Sequence, residues 1–341
     1  MKRYFRSLFA LLAVVLLLST VIVSCDDGDS GVQEANLTLT YIGDANTNFG
    51  RAADRFKSLV EIQSKGKVKV TLSPNYAVTN GDNLAALKLM TTGGVDATLH
   101  GGVIYTSLDP RFEVLNLPYI ITSHERAYAV MDSAVGEELL KGLTKLNVEG
   151  LAFGENGFRQ VTNNVRPITQ VADLKGLKMR VPETPLLVDT MRALGADPTI
   201  MTFTQVYEAL KAGRLDGQEN PLSVIQDFKV YEVQKYLTLW NYSWDSVVFG
   251  FSKQRLEALP RGTQKIIRSA AKESMSHMRT LVENDDKVLA DRLRSEGMQI
   301  VELTPQQREA FVQATKPLYE ARRASIGAEL IERVQKIASG K

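Results

Sequence analysis

The chain alternates strand-like and helix-like segments, and the same alternation starts a second time near Gly150. Residues 37–43, 68–72 and 96–99 have strand patterns, and apolar residues at helical spacing occupy 49–60 and 84–90. Strands that alternate with helices predict parallel βαβ units, in which helices cover the sheet. The sequence therefore predicts an α/β fold.

The second series of elements begins with strand-like segments at 151–157, 158–164 and 178–182, followed by helical patterns at 185–194 and 204–212. Residues 247–252 are again strand-like. At 341 residues the chain is longer than one ordinary domain, so we predict two α/β halves. Ligands of such sheets bind beyond the carboxyl ends of strands, which places loops 44–48, with Asn46, and 100–102, with His100 and Gly101, in a cleft.

Residues 263–296 contain no glycine and no proline, so one helix of 34 residues is possible. Such a helix would be about 50 Å long, which exceeds the width of a small domain. The alternatives are two helices with an unmarked break, or a coiled coil. The apolar positions keep no clean heptad, so we favour a helix that lies across both domains.

The amino terminus has the pattern of an export signal, with Lys2, Arg3 and Arg6 before an apolar run from Leu8 to Val23. A retained membrane anchor is the alternative, but the run is short for a span. Residues 22–25 (IVSC) resemble a bacterial lipoprotein box, which implies that Cys25, the single cysteine, carries a lipid. A plain signal peptide with an incidental cysteine is the other reading. We predict a signal at 1–24 and an acidic tether at 25–35.

Charge and motifs exclude several classes of function. Removing residues 1–24 takes three of the 41 Lys and Arg residues and none of the 39 Asp and Glu residues, which leaves a net charge of −1. No basic stripe is visible, so we expect no nucleic-acid partner. The sequence has no phosphate loop, no Gly-x-Ser-x-Gly elbow and no metal-ligand spacing, so we expect no cofactor and no enzyme activity.

Arg180 is placed where the chain enters a folded interior, between the apolar residues Met179 and Val181. Strand alternation puts it on the side of Lys178, which could be a solvated face. If it is enclosed instead, the guanidinium needs an internal partner or an anionic ligand. A guanidinium offers a planar fork that matches both oxygens of a carboxylate.

Residues 157–236 carry a family signature, and weaker matches extend over most of the mature chain. In order, its segments are GFRQ (157–160), TNN (162–164), RP (166–167), DLKGLKMRVP (173–182), LGA (194–196), Phe203, VYEAL (206–210), DGQENP (216–221) and YEVQKY (231–236). This series resembles the extracytoplasmic solute-binding proteins of TRAP (tripartite ATP-independent periplasmic) transporters, the DctP type. The resemblance implies a two-lobed clamp with a long C-terminal helix crossing both lobes. It also implies capture of a small organic anion, usually a carboxylate, and delivery to a membrane permease without a cofactor or a chemical step.

The resemblance also implies roles for particular residues. Arg180 matches the arginine that pairs with the ligand carboxylate, and Arg159 matches a second arginine of the cleft, with a salt bridge as its alternative. Asn220 matches a ligand-binding amide, although it could serve only to form a turn before Pro221. Phe203 matches an aromatic residue of the cleft, and core packing is its alternative.

Three departures from the family pattern bear on the ligand. Sialic-acid-binding members have an acidic residue where this chain has residues 100–102, and asparagine where Glu183 stands. Many members have histidine where Tyr242 stands, so sialic acid is a doubtful ligand. Trp240, Tyr242 and Trp244 suggest aromatic walls and a monocarboxylate with an apolar or aromatic body, or else core packing.

We assign residues 36–157 and 247–286 to lobe I, and residues 158–246 and 287–335 to lobe II. The expected protein is an extracytoplasmic monomer, held by its lipid at the inner membrane. A ligand-sensing lipoprotein of the same fold and an exported α/β enzyme are the alternatives.

Overall fold

The structure, a computed structural model, describes residues 31–340. The predicted signal peptide and Cys25 lie outside this range. Nine strands form one mixed sheet. Their bounds are β1 Ala35–Tyr41, β2 Val68–Ser73, β3 Ala97–Gly101, β4 Val148–Asn163, β5 Lys178–Val181, β6 Asp197–Ile200, β7 Gly217–Pro221, β8 Tyr236–Ser252 and β9 Gln299–Glu302.

Helices cover both faces of this sheet, as the alternating pattern predicts. The α-helices are α1 Asn48–Gln63, α2 Asn83–Thr91, α3 Gly102–Tyr105, α4 His124–Met131, α5 Ala134–Gly142, α6 Pro185–Ala193, α7 Val206–Lys211, α8 Leu222–Asp227, α9 Lys253–Glu257, α10 Arg261–Asp286, α11 Leu289–Ser295, α12 Pro305–Thr315, α13 Pro317–Ala321, α14 Arg323–Ile326 and α15 Ala328–Ser339. Short 3-10 segments lie at Pro74–Thr79, Pro110–Asn116, Leu143–Leu146, Val171–Leu174, Phe203–Gln205 and Val230–Glu232.

The order of the strands explains how one sheet serves two lobes. The strands follow the order β2-β1-β3-β8-β4-β7-β5-β6, and β9 pairs with β8. The outer pairs β1–β2, β1–β3, β5–β6 and β5–β7 are parallel, as predicted for βαβ units. In the centre, β4 and β8 are antiparallel to each other, and both run through the two lobes.

These two central strands are longer than the sequence indicates. The segment 151–157, which contains Gly154 and Gly157, and the segment 158–164 were predicted as separate strands but belong to the single 16-residue strand β4. The segment 247–252 is only the end of the 17-residue strand β8. The pairing of β4 with β8 shifts register at three places, one of them between Glu155 and Gly157. Gly157 has φ +115°, a conformation that favours glycine, so these irregularities bend the strands without ending them.

The long C-terminal helical segment has a break. The sequence allows a single helix over 263–296, but in the structure α10 ends at Asp286 and α11 starts at Leu289. Helix α10 still connects the lobes, because it packs on α1 and β4 and also contacts α8 and α11. The last helix, α15, packs on α4 of lobe I, so the segment after 287 is not confined to lobe II. No helix within residues 31–340 is long and apolar enough to cross a membrane.

Local sequence signals set the helix starts beside the central cleft. Thr47 caps α1 by accepting a hydrogen bond from the backbone N–H of Gly50, at 3.0 Å. Pro185 occupies the first turn of α6, the helix that follows the strand carrying Arg180. The Thr184 hydroxyl, just before α6, donates to the carbonyl oxygen of Val103 at 2.9 Å and so joins lobe II to lobe I.

Candidate ligand-binding site

A cavity of about 80 Å³ lies between the two lobes. Ile42, just after β1, faces it from lobe I together with residues of α1, β3, α3 and the segment 76–83, and residues of β5, β7, α8 and the segment 202–204 face it from lobe II. Its lining consists of Ile42, Phe49, Tyr76, Gly81, Asn83, Gly101, Val103, Ile104, Asn156, Arg159, Arg180, Pro182, Thr202, Phe203, Thr204, Asn220, Val224, Phe228 and Asp245. Eight of these 19 residues are Asn, Thr, Arg or Asp, and the others are apolar, aromatic or glycine, a combination that suits a small polar molecule.

Arg180 lines this cavity and is 3% exposed. Its Nε and Nη2 atoms donate to the carbonyl oxygen of Met201, at 2.9 and 2.8 Å. Its guanidinium carbon lies 5.5 Å from the centre of the Phe203 ring. No carboxylate of residues 31–340 forms a salt bridge with it. Burial lowers the pKa of Arg180 to about 9; the charge of Glu219 opposes this lowering and the nearby Arg159 cation adds to it.

Arg159 also lines the cavity, but carboxylates already surround its guanidinium. Its Nε and Nη2 atoms donate to the two carboxylate oxygens of Glu219, at 2.5 and 2.8 Å. Its Nη1 atom donates to Asp245 at 3.0 Å. Burial would lower the pKa of Arg159, but Glu219 and Asp245 raise it well above its ordinary value. The structure thus places the predicted arginines together and distinguishes them, because of the two only Arg180 lacks an acidic partner within residues 31–340.

Asn220 and Phe203, the other residues singled out from 157–236, also reach the cavity. Asn220 is 5% exposed; its oxygen accepts from Nη2 of Arg159 at 3.2 Å, and its amide nitrogen donates to Gln218 at 2.5 Å. Phe203 is half-buried and packs edge-on against Phe228, with 4.8 Å between ring centres. Their ligand contacts remain predictions that this placement favours.

Of the residues predicted to lie in the cleft outside 157–236, some line the cavity and others do not. Gly101 lines the cavity. His100 is fully buried behind it and stacks on Tyr76 at 4.5 Å, and burial lowers its pKa to about 4, so the imidazole is neutral. Asn46 is exposed and outside the lining, and the exposed Glu183 lines a neighbouring cavity of about 210 Å³. For these last two residues and His100, ligand contact stays a prediction that the lining does not favour.

The aromatic residues of β8 pack in the core. Trp240, Tyr242 and Trp244 are at most 1% exposed, and none of them lines the cavity. The Tyr242 hydroxyl donates to Glu219 at 2.7 Å and thereby orients the partner of Arg159. The structure gives no support for cavity walls formed by these rings and agrees with the alternative, core packing. The aromatic rings that line the cavity are those of Phe49, Tyr76, Phe203 and Phe228.

Five polar residues of the lining are not indicated by the sequence, namely Asn83, Asn156, Thr202, Thr204 and Asp245. Asp245, in β8 opposite Gly157, accepts hydrogen bonds from Asn156 at 2.9 Å and from Arg159. Burial raises the pKa of Asp245, and the neighbouring guanidinium and amide oppose that rise. Neither Asp245 nor Asn156 belongs to a motif. Alternation of side chains along a strand at 236–252 could have assigned Asp245 to one face of the sheet. The sequence of that segment, however, predicts a strand only at 247–252.

A second polar network supports the bend of β4. Glu155 is fully buried and accepts from His124 at 2.7 Å, from the Tyr128 hydroxyl at 2.7 Å and from the Trp244 indole at 2.6 Å. The other ring nitrogen of His124 lies 3.3 Å from Asp286, the last residue of α10. The network therefore ties the end of α10 to the strand bend. Residues 31–340 contain no cluster of His, Cys, Asp and Glu that could hold a metal ion.

A guanidinium with no acidic partner among residues 31–340, in a cavity between two lobes of a shared sheet, is the arrangement expected of a two-lobed solute-binding protein. The family model for bacterial extracellular solute-binding protein, family 7 (DctP), matches residues 40–325. The chain belongs to this family, whose members are solute receptors of TRAP transporters.

Similar proteins support the assignment over most of the chain. The C4-dicarboxylate-binding periplasmic protein DctP of Rhodobacter capsulatus is 31% identical over 88% of this chain and 90% of its own. The sugar acid binding protein DctPAm of Advenella mimigardefordensis, solved with galactonate, is 31% identical, with a TM-score of 0.87 over 91% of this chain and 99% of its own. A TRAP solute-binding protein of Ralstonia eutropha, solved with (S)-2-acetolactate, is 28% identical, with a TM-score of 0.87 over 90% and 99%. The resemblance stated from residues 157–236 and the two-lobed fold are thus confirmed.

Proposed function

We propose that this protein captures a small organic acid outside the cytoplasm and delivers it, chemically unchanged, to the membrane permease of a TRAP transporter. The observation that carries the proposal is the state of Arg180. It is a buried guanidinium, it faces a cavity, and among residues 31–340 it has a carbonyl oxygen but no carboxylate as partner. A ligand carboxylate would supply the missing counter-charge.

The placement of the cavity supports a clamp mechanism. A ligand favours the closed form only if it binds that form better than the open form. A molecule whose carboxylate binds Arg180 of lobe II while its body contacts Tyr76 and Val103 of lobe I meets this condition, because it contacts both lobes only after closure. Asn220 and Phe203 would complete the contacts from lobe II.

The experiment is calorimetric titration of the purified protein with a panel of acids that includes succinate, galactonate and 2-hydroxybutanoate. We expect at least one acid to bind, and Arg180→Gln to lose at least 100-fold in affinity. Arg166→Gln is the matched control, because Arg166, like Arg180, donates two hydrogen bonds to backbone carbonyl groups, here those of Asp173 and Lys175, but lies outside the cavity. Equal affinity of Arg180→Gln and the unaltered protein would refute the assignment.

We also propose that Cys25 is lipidated and anchors a monomeric receptor to the inner membrane. The support is the lipoprotein box and the acidic tether at 25–35, which would let the folded part stand off the membrane. Mass spectrometry of the amino-terminal peptide from the membrane fraction should show a diacylglyceryl group. A Cys25→Ser variant found in the same fraction as the unaltered protein would contradict the anchor.

A further inference from the structure

The charges that line the cavity are nearly balanced before any ligand enters. Among the described residues of the lining, Arg159 and Arg180 are the cations and Asp245 is the anion. Glu219 pairs with Arg159 from behind the lining. Arg159 already pairs with both Glu219 and Asp245. Within the described part of this lining, Arg180 is therefore the one cation left to neutralise a ligand, and it can neutralise one carboxylate.

Asp245 has hydrogen-bonding capacity left over. Its Oδ2 atom accepts from Asn156 at 2.9 Å and from Arg159 at 3.0 Å. Its Oδ1 atom has only a long contact in the described part of the chain, 3.4 Å to the backbone nitrogen of Val103. An ionised carboxylate accepts but cannot donate, so a ligand group beside Oδ1 must bring its own proton.

Resting on the function proposed above, we propose that Asp245 is a specificity-determining residue that accepts a hydrogen bond from a ligand hydroxyl and excludes a second ligand carboxylate. The solute is then a hydroxylated monocarboxylate whose carboxylate binds Arg180. A dicarboxylate would place its second charge in a cavity that already holds a buried anion and whose described lining offers no second free cation. Such like-charge contacts are a recognised means of rejecting a wrong partner.

The surroundings of Asp245 keep this carboxylate in place. It is fully buried in the middle of β8, and an added Cβ at the cavity residue Gly101 would lie 3.1 Å from its Oδ2 atom. Asp245 pairs with Gly157 of β4, and two residues further along β8, at Val247, pairing with β3 begins, so the strand is fixed next to Asp245. A ligand therefore meets this carboxylate in a set position.

The test compares acids that differ in one group: butanoate, its 2-hydroxy and 4-hydroxy derivatives and succinate, together with galactonate and glutarate as longer members. Calorimetry on the unaltered protein should show the best hydroxy monocarboxylate binding at least tenfold more tightly than its closest unhydroxylated and dicarboxylate counterparts. Asp245→Asn keeps the size of the side chain but removes its charge. In this variant the ratio of the affinity for the hydroxy monocarboxylate to the affinity for the dicarboxylate should fall at least tenfold. A dicarboxylate that binds the unaltered protein as tightly as every hydroxy monocarboxylate overturns the inference, whether or not the variant folds.

The two proposals fail in different ways. If Arg180→Gln abolishes acid binding but Asp245→Asn, shown to be folded by circular dichroism, keeps the ratio within twofold, only the role of Asp245 is refuted. If no acid of the set binds the unaltered protein, both proposals are refuted. Arg166→Gln serves again as the control, because it removes a guanidinium away from the cavity and should leave the preference among the acids unchanged.

Discussion

Replacing Arg180 by glutamine should make the ligand-free protein more stable. Burial lowers the pKa of this guanidinium from 12.5 to about 9. At about 1.4 kcal/mol per pKa unit, keeping the cation enclosed costs the folded state about 5 kcal/mol. The hydrogen bonds to Met201 return about 2–3 kcal/mol, and the Phe203 ring about 1 kcal/mol. The variant should therefore gain about 1–2 kcal/mol, or a few degrees in Tm.

Urea denaturation of the ligand-free proteins at pH 7 measures this difference. Arg166→Gln should lose about 1 kcal/mol instead, because it gives up similar hydrogen bonds without relieving a buried charge. The direction in which the stability difference changes with pH follows from the linkage between protonation and folding. Since the folded-state pKa of Arg180 is below its unfolded value, the unaltered protein gains stability as pH rises above about 9, and the gap to the variant narrows. A loss of about 2 kcal/mol or more in Arg180→Gln at pH 7 would refute the reasoning, because the hydrogen bonds would then outweigh the buried charge.

Three further predictions concern the frame around the cavity. Glu219→Gln should cost about 3 kcal/mol in urea denaturation, since it takes a buried carboxylate from Arg159, and a cost below about 1 kcal/mol would contradict this. Burial lowers the pKa of His124, but Asp286 and Glu155 raise it to about 10. The stabilisation by protonated His124 should therefore be complete below pH 6.5 and be lost as the pH rises to about 10. His124→Gln should flatten that decline in thermal melts. Gly157→Ala should lower stability by about 1–3 kcal/mol, because φ is +115° and the new Cβ would lie 3.2 Å from Val282; an unchanged Tm would show that the bend adapts.

The parallel outer units and the importance of Arg180, which lines the cavity, could be predicted from the sequence. Apolar spacing placed α1, α2 and α6 to within a few residues, because each buries one face against the sheet. Arg180 was identified by its motif, and strand alternation alone left it open between a solvated and an enclosed position. The enclosure depends on the segment at 201–203 folding over it, which is a tertiary contact and leaves no local pattern.

The central strands and the polar lining could not be predicted in the same way. Glycines at 154 and 157 interrupt the strand pattern, yet β4 continues through them because β8 pairs with it along this stretch, and β7 pairs on the other side from Arg159 onward. For the same reason Asp245 was missed, since its neighbours in space, Asn156 and Arg159, lie more than 80 positions earlier in the chain. The buried aromatic residues of β8 resembled cleft walls because burial in a core and burial in a cleft select the same side chains.

Because β4 and β8 run through both lobes, neither lobe can be expressed as an independent folded domain. A fragment that ends within β4 would carry half of that strand and lack β8, its main partner, so it would expose an open edge that promotes aggregation. Reporter domains for a biosensor should accordingly be inserted in surface loops, leaving the shared strands intact. Because neither half keeps a complete sheet without the other, melting should occur as one cooperative transition instead of lobe by lobe.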